Sequence, residues 1–145
     1  MRRSLTIAVI LVATVLNCVA EKETVQQLAA RAEAGRPEDR PGLYIEIAER
    51  QLKAVAELFG TGKDDEAVAA VKDVVTYSEK AHDAAIDSRN RLKATEIAFR
   101  KMAAKLRDIK PTLNFADQAP IEAAADQLEK LRTDLLSRMF ARKER

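Results

Sequence analysis

Glycine and proline are confined to three short stretches of this 145-residue chain, and this confinement constrains its fold more than any other feature of the sequence. The stretches are Gly35 to Gly42, Gly60 to Gly62 and Pro111 to Pro120. Because glycine and proline destabilise a helix interior more than other residues, long segments without them favour helices. Charged residues make up 33% of the chain and aromatic residues only 4%, a composition typical of long helices. We therefore predict an all-α fold.

The three stretches divide the chain into helical segments. Residues 22–34 are predicted to form a short helix or a flexible arm, followed by a polar linker at 35–40. Two further helices are expected at about 41–59 and 118–141. Between them lies a central segment, at about 63–110, that contains no glycine or proline. This central segment is predicted to be the element on which the flanking helices pack as antiparallel hairpins.

Apolar and small residues recur through the central segment at steps of three and four without a slip, as a coiled-coil seam requires. The unbroken register predicts one continuous helix, roughly 70 Å long at 1.5 Å per residue. The alternative is a break near the polar residues 87–90, which would give a compact four-helix bundle. The predicted helix-packing seam consists of Val71, Val74, Ser78, Ala81, Ala85, Ser88, Leu92, Phe99, Met102, Leu106 and Ile109.

The middle of this seam is made of small side chains, from Ser78 to Ser88. Small residues let a neighbouring helix approach closely, so tight antiparallel packing is the first interpretation. The alternative is a groove that receives a helix from a partner protein. If each flanking helix covered only half of a long central helix, apolar surface would remain exposed and would favour a homodimer.

The first twenty residues have the layout of an export signal, with Arg2 and Arg3 preceding an uncharged apolar run at 5–20. That run is shorter than the roughly 20 residues that span a bilayer as a helix. We predict cleavage between Ala20 and Glu21, and a periplasmic or secreted protein. Lipidation of Cys18, giving a membrane-anchored lipoprotein, and an uncleaved anchor are the alternatives. The domain organisation is then a signal peptide at 1–20, an arm and linker at 21–40, and one helical-bundle domain at 41–145.

Removal of the signal changes the charge of the protein. The whole chain has 25 basic and 23 acidic residues, and the signal contains two of the basic ones, which leaves 25 − 2 = 23 of each. A neutral protein is not expected to bind nucleic acid, which normally requires a strongly basic domain. Membrane contact is expected only through a lipid on Cys18 or through the basic C-terminal tail, which contains Arg138, Arg142, Lys143 and Arg145.

One pair of residues has a spacing that is used for metal binding. Glu79 and His82 follow the Glu-x-x-His pattern of di-iron helical bundles. Such sites need two of these motifs, and His82 is the only histidine in the chain, so a metal site would require two protomers. We predict no metal and no cofactor. The chain also lacks a glycine-rich phosphate loop and a Ser-His-Asp pattern, and we predict that it is not an enzyme.

Two stretches resemble a tetratricopeptide helical hairpin: Ile47 to Ala54, and Gly62 to Ala67. Gly62 corresponds to the turn and Ala67 to the small position of the second helix. The resemblance covers residues 44–77 and implies a helical hairpin there. More broadly, the export signal and the alanine-rich seam around Tyr77 to Ala81 resemble a group of uncharacterised exported bacterial all-α proteins, which implies no particular activity.

Together these observations predict an exported, non-enzymatic helical protein that acts in the cell envelope by protein–protein contact or self-association. Two alternatives remain at this point. One is a metal-binding helical bundle formed by dimerisation through Glu79 and His82. The other is a periplasmic holdase chaperone.

Overall fold

The computed structural model describes residues 23–141, and within this range the chain is all-α, as predicted. A short 3-10 turn, Lys110–Thr112, precedes the last helix. The helices are α1 (Val25–Ala34), α2 (Arg40–Gly60), α3 (Asp64–Ser88), α4 (Leu92–Ile109) and α5 (Phe115–Ala141).

Helices α2 to α5 form a four-helix bundle in which consecutive helices are joined by short connections and run antiparallel. The largest interfaces are those of α2 with α3 and of α4 with α5, while α3 also packs on α5 and α2 on α4. Within residues 23–141, α2 and α5 do not contact each other. These two helices therefore occupy opposite corners of the bundle.

Helix α1 extends the same core. Its N-terminus carries a capping box, in which Thr24 and Gln27 exchange side chain-to-backbone hydrogen bonds. Leu28 and Ala32 are completely buried and belong to the main hydrophobic cluster. The sequence predicts either a short helix or a flexible arm at 22–34. The structure has a short helix there, and this helix packs on the core.

The prediction of one continuous helix over 63–110 is wrong. The chain turns between α3 and α4 at Arg89 and Arg91, which adopt left-handed backbone conformations with φ values of 53° and 58°. The alternative, a compact four-helix bundle with a break near 87–90, is correct. Steps of three and four occur on either side of the turn because α3 and α4 each direct an apolar face into the same core. The step of four that joins the two runs, from Ser88 to Leu92, spans the turn itself.

The turn between α2 and α3 differs in its residues. Gly62 has a φ of 73°, a conformation that glycine adopts at little cost. The amide of Lys63 donates to the carbonyl oxygen of Leu58 at 2.9 Å, and the amide of Gly62 donates to that of Phe59 at 3.2 Å. The glycine stretch at 60–62 therefore ends α2 as the sequence predicts.

Several predictions concern residues outside the described range. These are the signal peptide at 1–20, the cleavage position between Ala20 and Glu21, lipidation of Cys18, and the last four residues of the basic tail.

Among the helices of residues 23–141, none combines the length and the apolar character required to cross a membrane. The last helix starts at Phe115, a few residues before its predicted start, and carries Pro120 inside it.

Candidate functional site

The structure places most of the predicted seam residues in the core of the bundle. Val71, Val74, Ser78, Ala81 and Ala85 are buried on α3. On α4, the buried seam residues are Phe99, Met102 and Leu106. The seam residues next to the helix ends are partly exposed: Ser88, Leu92 and Ile109. These residues line two antiparallel helices around a common core, so they do not form a single stripe along a rod.

Glu79 and His82 do not share a ligand-binding position. The Nε2 of Gln127, on α5, donates to the Oε1 of Glu79 at 3.0 Å. His82 is largely buried between α3 and α5, with its Nε2 at 2.8 Å from the Oδ2 of Asp134 and its Nδ1 at 2.9 Å from the Oδ1 of Asp83. Among residues 23–141, no group of three or more His, Cys, Asp and Glu side chains is arranged to hold a metal ion.

Asp134 contacts both His82 on α3 and Arg138 near the end of α5. The Nε of Arg138 donates to the Oδ2 of Asp134 at 2.7 Å. This hydrogen bond, supported by that with His82, outweighs the effect of burial and lowers the pKa of Asp134. The ionised Asp134 therefore fastens α3 to α5, and His82, which the sequence suggested as a metal ligand, is engaged in helix packing.

A second charged cluster, between α4 and α5, was not predicted from the sequence. The side chain of Glu96 is only 9% exposed, and its Oε1 accepts a hydrogen bond from the Nε of Arg132 at 2.6 Å. Arg132 and Arg107 also donate to the two oxygens of Glu129, each at 3.1 Å. Burial raises the pKa of Glu129, but these two arginine hydrogen bonds outweigh it, so the net pKa is lowered. Glu96 and Arg132 are 36 residues apart, beyond the reach of any helical spacing pattern.

A third polar cluster fixes α1 to α2 and α3. The hydroxyl of Tyr44 donates to the Oε1 of Glu33 at 2.7 Å, and the Nζ of Lys80 lies 3.5 Å from the same oxygen. Lys80 also sits 5.6 Å from the ring centroids of both Tyr44 and Tyr77. Burial, and then the neighbouring Glu33 carboxylate, raise the pKa of Tyr44 to about 12. The hydrogen bond from Tyr44 and the charge of Lys80 lower the pKa of Glu33.

A groove lies between α2 and α4 on the surface of the bundle. It has a volume of about 450 Å³, with Leu52 and Met102 at its base. Charged side chains from both helices form its rims, so an apolar base is framed by polar edges. We call it the α2/α4 groove; its lining residues are Glu49, Leu52, Lys53, Ala56, Glu57, Lys101, Met102 and Lys105.

The groove continues into a second depression of about 420 Å³ at the end of the bundle where α2 and α4 both terminate. We call this depression the end pocket; it is lined by Ala56, Phe59, Gly60, Lys105, Asp108, Ile109, Thr112 and Leu113. Just beyond Leu113, at the start of α5, the side chain of Phe115 is 91% exposed. Phe140, near the other end of α5, is 65% exposed.

Comparison of the sequence and the structure with protein-family models, curated proteins and solved structures gives no significant match. The three charged clusters connect neighbouring helices, and their members are paired with one another. The α2/α4 groove and the end pocket, by contrast, leave apolar side chains accessible: Ala56 in the groove, and Phe59, Ile109 and Leu113 in the end pocket.

Proposed function

We propose that this protein is an exported, non-enzymatic helical protein that binds another protein through the α2/α4 groove in the cell envelope. The observation that carries the proposal is the groove itself, an open channel between two helices with an apolar base and charged rims. An amphipathic helix fits such a surface, since its apolar stripe can cover the base while its polar flanks reach the rims.

The arrangement of the bundle supports this role. Because α2 and α5 occupy opposite corners, α2 packs only on α1, α3 and α4 within the described residues, and its face over α4 stays accessible. Leu52 and Met102 are 5% and 2% exposed and belong to the core, so the apolar surface that a bound helix would cover comes mainly from Ala56, which is exposed in the groove. Lys53, Glu57 and Lys101 are exposed along the two rims. They provide charges that can select among partners.

The proposed location of the protein in the cell envelope rests on the sequence. The positively charged start and the apolar run at 5–20 predict export, and Glu21 is the expected first residue of the mature protein. Cell fractionation combined with mass spectrometry of the N-terminus tests this part of the proposal. A cytoplasmic protein that retains residues 1–20 would contradict it.

Photo-cross-linking in cells tests the binding surface. A photoreactive amino acid replaces Lys53 on the groove rim, and a matched variant carries it at Ala123, an exposed position on α5 that does not line the groove. We expect a discrete adduct with another envelope protein from position 53 and none from position 123. Ala56→Glu, which places a bulky charge at an exposed position in the groove lining, should abolish that adduct. Equal labelling from positions 53 and 123 would refute the proposal.

A further inference from the structure

We propose that this protein also forms a two-fold symmetric dimer in which the Phe115 side chain of each copy enters the end pocket of the other. This inference concerns self-association at one end of the bundle, and it extends the proposed binding function to a second copy of the chain as the partner.

The first observation is an aromatic side chain that the fold does not use. Phe115 is 91% exposed at the first position of α5, so its ring contributes almost nothing to the core. Single exposed apolar residues are common on protein surfaces. Phe115 is unusual because an unfilled apolar depression lies beside it.

The second observation is the end pocket. Its apolar wall is formed by Phe59, Ile109 and Leu113, all partly exposed, and the pocket is open at the end of the bundle. Its volume of about 420 Å³ lies within the roughly 300–1,000 Å³ range of pockets that enclose small organic ligands, so it has room for a phenyl ring. A projecting aromatic side chain and an apolar recess thus occur on the same end of one molecule.

The short separation in sequence between Phe115 and the end pocket favours a two-fold symmetric dimer. Leu113 lines the pocket and Phe115 follows only two residues later. When a projection and a recess are adjacent, a two-fold axis between two copies lets both exchanges occur at once and closes the assembly. A projection far from its recess would instead produce a head-to-tail contact, and hence a ring or an open filament. The geometry therefore favours a closed dimer.

Charge complementarity supports the same arrangement. Asp117 lies two residues after Phe115, and Lys105 lies on the rim of the end pocket. Neither side chain forms an ion pair with another residue of the 23–141 range. If Phe115 of one copy enters the pocket of the other, its neighbouring Asp117 approaches a rim that carries Lys105 and Asp108 of the second copy, and we expect it to pair with Lys105, the cation of the two. The dimer would then contain two such pairs.

Sedimentation velocity of the purified protein over a range of concentrations tests the proposal. We expect a reversible dimer for the wild type. Phe115→Ala should raise its dissociation constant by about 100-fold or more, because both exchanged rings are lost together. Phe140→Ala is the matched control, since it removes an exposed phenylalanine from the other end of α5, and it should leave the dissociation constant unchanged. Both substitutions affect exposed side chains, so circular dichroism should show unchanged helicity.

A charge exchange tests the pairing. Lys105→Glu and Asp117→Lys should each weaken the dimer about tenfold, and the double variant should recover most of the wild-type affinity. A wild-type protein that is monomeric at every concentration would overturn the proposal, as would equal effects of Phe115→Ala and Phe140→Ala or no recovery in the double variant. A monomer that still yields the position-53 adduct with another protein would leave the proposed function standing, so the two failures are distinguishable.

Discussion

The two turns at the ends of α3 reach similar left-handed backbone conformations by different means. At the first turn, Gly62 adopts the positive φ, and the hydrogen bonds that the amides of residues 61–63 donate all go to carbonyl oxygens in the last turn of α2. At the second turn, Arg89 and Arg91 adopt it without a glycine. The second turn has local hydrogen bonds too, from the Arg89 amide to the Ile86 carbonyl oxygen and from the Arg91 amide to the Asn90 side chain. Because it lacks a glycine, it nevertheless depends more than the first turn on the residues around it.

The surroundings of the second turn come from distant parts of the chain. The side chain of Asn90 donates to the carbonyl oxygen of Glu38 at 3.4 Å. The guanidinium of Arg91 lies against Gly42, so close that a methyl group there would be 3.0 Å from it. Beyond the turn, α4 buries Phe99, Met102 and Leu106. Burial of that face gives a free-energy gain that a straight helix could not obtain, and this gain outweighs the cost of the left-handed residues.

The largest effect is expected from removing a completely buried aromatic side chain of α4, the helix that follows the second turn. Phe99→Ala should reduce the free energy of unfolding by about 3–5 kcal/mol, because Phe99 is completely buried on α4. Chemical denaturation measures this loss. Phe140→Ala, at a side chain 65% exposed, should change stability by less than about 0.5 kcal/mol and serves as the control. A loss below 1 kcal/mol for Phe99→Ala would contradict the burial of the α4 face that we hold responsible for the second turn.

The stability of the first turn should depend on Gly62. Gly62→Ala should destabilise the protein by about 1–2 kcal/mol, because a residue with a Cβ atom is strained at a φ of 73°. The matched control is Gly60→Ala, at the end of α2, where an added Cβ atom meets nothing within 4 Å. That control should be neutral or slightly stabilising, since alanine favours a helix over glycine. Equal effects of the two substitutions in thermal denaturation would remove the distinction between the turns.

The contact of α1 with α2 lies near the second turn and should have an intermediate effect. Tyr44→Phe removes the hydrogen bond to Glu33 and should cost about 1 kcal/mol in the free energy of unfolding. Tyr77→Phe is the matched control, because Tyr77 contributes its ring to the Lys80 contact without a hydrogen bond to Glu33. The comparison of the two variants by urea denaturation separates the hydroxyl from the ring.

The same hydrogen bond predicts a dependence on alkaline pH. The pKa of Tyr44 is raised to about 12 in the folded protein, against roughly 10 for an unperturbed tyrosine. Its stabilising contribution is therefore complete below pH 10 and is lost as the pH rises toward 12. The Tyr77→Phe variant leaves Tyr44 as the only tyrosine, so ultraviolet absorbance titration reports it directly. Titration near pH 10 in the folded variant would contradict the buried hydrogen bond.

The smallest effect should be a gain. Arg89→Gly should stabilise the protein by about 0.5–1 kcal/mol, because glycine adopts a φ of 53° at lower cost than arginine. Arg89→Ala is the control, since alanine keeps the Cβ strain and should not produce this gain. A destabilising Arg89→Gly would mean that the arginine side chain contributes more to the turn than its backbone strain costs.

Local signals explain which parts of the fold could be predicted. The helix that ends at Gly60 and the all-α class follow from residues whose backbone preferences are strong enough to act without tertiary help. Arg89 and Arg91 carry no such signal, so the unbroken register predicts a continuous helix that the structure does not have. The ion pair of Glu96 with Arg132 joins residues far apart in the chain, and periodicity along one helix cannot reveal it. His82 had the spacing of a ligand but packs against Asp134.

The sequence by itself determined the helical class, the position of the first turn and the residues available for the core, because these depend on interactions within a few residues. Only the tertiary structure decided that the central segment folds into two antiparallel helices and that α1 joins the core. It also decided that the α2/α4 groove and the end pocket stay open beside an exposed Phe115. The physical reason is that burial is a property of the whole assembly: a helix face is covered or left open according to which other helices reach it.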